Sequence, residues 1–218
     1  MKYISASEIK TFMKSKQEWF DYYVLWIKKE IKHISIPIWL AFHKYMETEN
    51  INDAISILYN SWYDQKECFT LFMNLFDNAK SINIYNIESK ELYMKSIKNN
   101  IPFHWFCDCI TTNSIVDYKT VNKFTKEIDW IPPRSTITTR EEYMIQWMIY
   151  LLLSWKSYAI FIEISKIKWY WINYIVFSRE ELFSKIYNKY YVVCKQILFL
   201  HSISNKNLTI KPTDTTVT

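Results

Sequence analysis

The chain of 218 residues contains no glycine. Average usage of about 7 % would place roughly 15 in a chain of this length. Glycine is the default residue where the backbone must take a positive φ or approach another chain closely. Without it, every left-handed position has to be filled by a residue that pays a steric cost, least for asparagine and aspartate. The same chain carries ten tryptophans. Half of the residues are hydrophobic and 22 % are charged, which supplies a core and excludes wholesale disorder. The net charge of +5 is compatible with a phosphate-backbone partner and does not by itself imply one.

The four cysteines, Cys68, Cys107, Cys109 and Cys194, form no C-x-x-C pair. Cys107 and Cys109 flank Asp108 and are expected to point the same way on a strand, too constrained for an ordinary disulfide. They read as reduced core thiols of a cytoplasmic protein, and the spacing does not suit zinc. The start, MKYISASEIK, lacks the apolar region of a signal peptide. The most apolar stretch, Tyr143–Ile162, is interrupted by Gln146, Ser154, Lys156 and Ser157. It reads as a buried helix followed by a strand, and no membrane contact is expected.

Ser5-Ala6-Ser7-Glu8 has capping-box spacing and predicts a helix running to about Tyr23, with Ile9, Phe12, Met13, Phe20 and Val24 as its apolar stripe. Pro37 predicts the start of a second helix to about Thr48, and Asn52 or Asp53 caps a third helical region to about Asn78, broken near Asp64. A strand is expected near Ile82–Ser89. Phe103–Ile110 and Ser114–Val121 read as a hairpin about Thr111-Thr112-Asn113. Residues 122–138, with Pro132-Pro133, read as a loop. A second capping box, Thr139-Arg140-Glu141-Glu142, opens a helix to about Ser154. Tyr158–Ser165 and Tyr170–Phe177 read as a further hairpin, Ser178 opens a last helix to about Leu200, and 205–218 reads as a disordered polar tail. The expected fold class is α+β or mixed α/β.

Chemistry concentrates in the first hairpin. Asp117 and Lys119 share one strand face and Tyr118 takes the other. Pairing of the strands brings Asp108 toward Asp117, so two carboxylates and an ammonium converge. Carboxylates suit a hard divalent cation such as magnesium. With a lysine to position the nucleophile, the set has the parts of metal-assisted phosphodiester hydrolysis. Gln146 and Tyr150, one helical turn apart, share a helix face.

These segments, taken in order, resemble the RecB-like branch of the PD-(D/E)XK nuclease superfamily, which includes the CRISPR-associated exonucleases. ISASEIKTFMKSKQEWFDYYVL resembles the family's first helix, and IPIWLAFHKYME the helix carrying its histidine, which falls on His43. FHWFCDCI resembles the Gly-x-x-Asp strand, its acid matching Asp108. SIVDYKT resembles the Asp/Glu-x-Lys strand, matching Asp117 and Lys119, and EEYMIQWMIY the Gln-x-x-x-Tyr helix, matching Gln146 and Tyr150. The resemblance runs from about residue 3 to about 177. It implies a restriction-endonuclease-like core: one nuclease-like domain over 1–204, helical to about 80, with the sheet core over 81–204. It further implies Mg²⁺ or Mn²⁺ held by Asp108, Asp117 and the Tyr118 carbonyl, with His43 as a further ligand. Lys119 would serve the attacking water, and Gln146 and Tyr150 would steady Lys119 or the DNA strand. The implied function is a metal-dependent DNA nuclease acting at single- or double-stranded ends in repair, recombination or phage DNA processing, beside recombination or replication proteins. The alternative is an inactive nucleic-acid-binding relative of the same fold, for which Lys10, Lys14, Lys16, Lys28, Lys29 and Lys32 offer phosphate contacts.

The chain departs from the family in two ways. The cysteines that hold an Fe–S cluster in CRISPR-associated relatives have no counterpart, so no cluster is expected. Tryptophan also stands where the family or a helix end favours glycine: Trp39 four residues before His43, Trp105 three before Asp108, and Trp26 and Trp155 after helices. Together with the missing glycines, this is what results when UGA codons that specify glycine are translated as tryptophan.

Overall fold

The computed structural model describes residues 2–27, 32–122, 124, 139–167, 172–180 and 187–208. Among these, seven helices and five strands appear. The helices are α1 (Ala6–Lys14), α2 (Lys16–Tyr23), α3 (Ser35–Thr48), α4 (Ile51–Tyr59), α5 (Gln65–Ala79), α6 (Thr139–Leu153) and α7 (Tyr187–Leu208). The strands are β1 (Ile87–Lys98), β2 (Ile101–Thr111), β3 (Ser114–Val121), β4 (Tyr158–Ser165) and β5 (Ile172–Ser178). The sheet order is β1-β2-β3-β4-β5, antiparallel except for the parallel β3–β4 pair. Parallel neighbours need a long crossover, and α6 lies within it.

Helices cover both faces. On one side α1, α2, α6 and α7 bury Ile9, Trp19, Met148 and Ile197 against Phe103, Ile115 and Phe161. On the other, α3, α4 and α5 bury Phe42, Leu58 and Phe72 against Val116, Ile162 and Ile164. The expected α+β class with a mixed sheet flanked by helices is the observed one. Tyr143–Ile162 is a buried helix and a strand, and no described helix is long and apolar enough to cross a membrane.

Several boundaries move. The first predicted helix is two, because Ser15 is extended (φ −158°, ψ 114°) and its hydroxyl caps α2 by accepting from Glu18 N. At the chain start the Ser5 hydroxyl accepts from Glu8 N at 3.2 Å, as the capping box requires. The Glu8 carboxylate does not return to the cap. It is buried, accepts from Trp19 Nε1 at 3.1 Å and meets His201 Nε2 at 2.6 Å, tying α1 to α7. Asn50 rather than Asn52 caps α4, and Asp64 caps α5. The first strand runs over Ile87–Lys98 instead of Ile82–Ser89, since its extent follows the pairing with β2 rather than its own weak periodicity. The last helix continues to Leu208, into the expected tail. Residues 123, 125–138 and 209–218, with Lys28 and Lys29, lie outside the described residues.

The absent glycines leave a record in the backbone. Six described residues take positive φ: Trp26, Glu49, Asn86, Glu91, Asn99 and Asn100. Asn99 and Asn100 form the β1–β2 turn, where a tight hairpin needs two left-handed residues and asparagine tolerates them best. Trp26 (φ 60°) and Glu91 (φ 48°) have no such local excuse, and each such residue costs about 1–3 kcal/mol.

All four cysteines are free and buried. The expectation that Cys107 and Cys109 point the same way is wrong. Cys107 packs with the α1–α6 cluster and Cys109 with the α3–α5 cluster. Alternation breaks between them, where left-handed Glu91 on β1 stands across from Asp108.

Candidate active site

β2 and β3 pair only at Cys109↔Val116 and Ile110↔Ile115. Extended by one step, that register sets Asp108 opposite Asp117. There the ladder stops, and the Tyr118 amide N–H donates to Asp108 Oδ2 at 2.6 Å. A carboxylate has replaced a backbone acceptor, so the strands part and open a cavity of about 550 Å³. Its lining includes His43 from α3, Glu91 from β1, Asp108 from β2, Asp117 and Lys119 from β3, and Gln146 from α6. Tyr150 stands behind them, fully buried.

Each acid is held differently. Asp117 is 4 % exposed. Its Oδ1 accepts from Gln146 Nε2 at 2.8 Å and from the Tyr150 hydroxyl, and its Oδ2 faces the Lys119 ammonium. Lys119 Nζ also lies 5.9 Å from the Phe161 ring centre. The i, i+4 placement of Gln146 and Tyr150 on α6 brings both groups to one oxygen, and Gln146 Nε2 also lies 2.8 Å from the Tyr150 hydroxyl. Burial, then the charge of Asp117, raises the Tyr150 hydroxyl well above its ordinary value, so it stays a neutral donor.

Asp108 Oδ1 lies 3.3 Å from His43 Nδ1, and Glu91 Oε1 lies 4.0 Å from the same nitrogen. Burial, then repulsion from Asp117, raises the Asp108 carboxyl above the usual range, against the pull of His43. Burial disfavours a charged His43 ring, but Asp108 and Glu91 outweigh it and raise the imidazole to about 9. Such a crowd of acids about one imidazole is an environment a cation relieves.

Ligand atoms of His43, Glu91 and Asp108 lie within 4.8 Å of one another. One nitrogen and carboxylate oxygens form a donor set that fits a divalent cation of the magnesium–manganese kind. Gln146 Oε1 is buried without a hydrogen-bond partner and leaves acceptor capacity at the cavity wall, where His43 Nε2 is also buried without a partner.

His43, Asp108, Asp117, Lys119 and Gln146 thus share one cavity, with Tyr150 bonded to Asp117. The Tyr118 side chain is not among them. It turns into the α3–α5 cluster, its ring 6.4 Å from Phe42, and only its backbone reaches the site. Glu91 escaped the sequence reading. It lies in a segment without clear periodicity, and only its register against β2 and its left-handed backbone bring it to His43. Trp39 and Trp105 crowd the site. Trp39 packs 4.4 Å from the His43 ring, and Trp105 Nε1 donates to the Tyr150 hydroxyl at 2.9 Å.

No family model and no curated protein matches the sequence. Solved structures do. A protein provisionally assigned as an exonuclease, from Eubacterium rectale, superposes with a TM-score of 0.70 over 94 % of this chain and 82 % of its own, at 13 % identity. An alkaline exonuclease from Laribacter hongkongensis gives a TM-score of 0.49 over 94 % of this chain and 93 % of its own, at 11 % identity. At such identity the first likeness shows the fold, which is the PD-(D/E)XK nuclease-like fold that the ordered motifs implied.

Proposed function

We propose that the protein is a metal-dependent deoxyribonuclease of the RecB-like exonuclease type. The observation that carries this reading is the meeting of Asp108, Asp117, Lys119 and His43 in one cavity where β2 and β3 part. His43, Glu91 and Asp108, with Asp117 beside them, would hold Mg²⁺ or Mn²⁺, and the ion would neutralise charge on the scissile phosphate and acidify water. Lys119, fixed between Asp117 and Phe161, positions the attacking water and balances the charge that builds on phosphorus. The water oxygen bonds to phosphorus in line and gives up a proton to solvent as the opposite P–O ester bond breaks. The leaving oxygen takes up a proton, so one product end keeps the phosphate and the other a hydroxyl. Gln146 and Tyr150 orient Asp117.

The test is incubation with linear single- and double-stranded DNA and Mn²⁺. The expected result is degradation that EDTA, Asp117→Ala and Lys119→Ala each abolish. Degradation surviving both substitutions would overturn the assignment. A second reading, a nucleic-acid-binding relative without activity, is favoured by Trp39 packed against His43. Salt-sensitive DNA binding with no cleavage in any metal would establish it.

A further inference from the structure

The β1–β2 ribbon carries a feature that hydrolysis does not use. Its register pairs Tyr93 with Phe106, Lys95 with His104 and Ile97 with Pro102. Tyr93, Phe106 and His104 are in ring contact on one ribbon face, and that row adjoins the cavity that Glu91 and Asp108 line. The first pair beyond the site is aromatic and open to solvent, with Phe106 59 % and Tyr93 43 % exposed. Their ring centres are 4.7 Å apart. The row goes on: His104 lies 5.9 Å from Tyr93, with Tyr93 Oη and His104 Nδ1 3.3 Å apart, and Tyr3 lies 6.3 Å beyond. Phe106 itself lines the cavity. Exposed aromatic rings in contact are costly to leave in water and mark a surface that meets something.

Charge and spacing narrow the partner. From Leu92 to Phe106 the chain carries Lys95, Lys98 and His104 and no acid. The ring centres stand 4.7 and 5.9 Å apart, wider than the roughly 3.4 Å repeat of stacked bases in a duplex. A base-paired helix cannot offer a base to each ring at that interval, whereas an unstacked single strand can. Aromatic platforms with flanking lysines are how sequence-tolerant single-strand binding is built.

We propose that the Phe106–Tyr93–His104 row is a stacking platform that leads a DNA single strand into the cavity. This rests on the nuclease reading for the identity of the cavity, and it adds that the strand arrives unpaired along β1–β2. None of the three residues is a tryptophan, so the platform is the same however those codons are read.

Binding in EDTA tests it apart from catalysis. A fluorescein-labelled (dT)15 is titrated with the full chain by anisotropy, beside a blunt duplex, oligo(rU) and a sugar-phosphate strand of equal length lacking bases. Tyr93→Ala is expected to weaken (dT)15 binding about tenfold, the loss of one stacked base, and Tyr93→Trp to restore it. The base-free strand should bind the wild type no better than (dT)15 binds Tyr93→Ala. Equal affinity of base-free and base-bearing strands, a change under twofold in Tyr93→Ala, or tighter binding of the duplex or of oligo(rU) would each overturn the proposal. So would a shift of Tyr93→Ala in oligomeric state with unchanged affinity, which would make the row a contact between copies. DNA cleavage with no Tyr93 effect sinks the platform alone; Tyr93-dependent binding without cleavage sinks the nuclease reading alone.

Discussion

Tyr118 gives its backbone N–H to the side chain of Asp108 at 2.6 Å, at the step where the β2–β3 ladder ends. A single hydrogen bond therefore joins the opening of the sheet to one of its candidate metal ligands. Asp108→Asn keeps an acceptor for that amide and removes the charge. Asp108→Ala strands a buried donor, which costs about 1–3 kcal/mol. Both are expected to lose nuclease activity, but only the alanine variant should melt several degrees lower. Equal melting temperatures would show that the bond does not hold the strands at this point.

Tyr150 and Gln146 converge on one oxygen of Asp117. Tyr150→Phe removes a buried donor and leaves the Gln146 bond, so a drop in kcat of about tenfold or more, with little change in KM, is expected of a residue that orients the carboxylate. Gln146→Ala should act alike. A rise in KM alone would assign them to strand binding instead.

Lys10 lies near Lys119, Asp117 and Glu142. Burial first, then Lys119, lowers its ammonium from 10.5 to about 8. Between those values the unfolded chain binds more protons than the folded one, so this residue makes stability rise with pH from about 8 to 10.5. His43, raised to about 9, acts oppositely: its contribution is complete below about 6.5 and is lost as pH climbs through 9. The difference between wild type and Lys10→Met isolates the lysine. The melting-temperature gap between the two should close as pH goes from 8 to 10, and a constant gap would refute the shift.

The tryptophans divide by environment. Trp26 has φ 60° and is 71 % exposed, and Trp155 is 90 % exposed. Trp19 is buried and hydrogen-bonded to Glu8. Trp26→Gly is expected to stabilise the fold by about 1 kcal/mol, by relieving a left-handed backbone, and Trp19→Gly to cost more than about 3 kcal/mol. In the gene, UGA is expected at 26, 39, 105 and 155 and UGG at 19. UGG at 39 and 105 would end the idea of recoded glycines.

Buried thiols give a control for folding. Burial raises Cys107 and Cys194 to about 12 and Cys109 to about 11. At pH 8 these thiols are neutral, so alkylation of the native protein should be slow and should become fast only in denaturant. Rapid labelling without denaturant would show that the core opens.

The sequence by itself determined what short-range chemistry controls. Ser5 capped its helix, the Asp117-x-Lys119 pair shared a strand face, and Gln146 and Tyr150 shared a helix face, because periods of 2 and 3.6 residues require it. Only the tertiary structure decided what pairing controls. The register of β1 on β2 placed Glu91 beside His43 and aligned Tyr93 with Phe106, while packing put Cys107 and Cys109 in different cores. These follow from contacts between residues far apart in the chain, and no local pattern encodes which partner a strand will find.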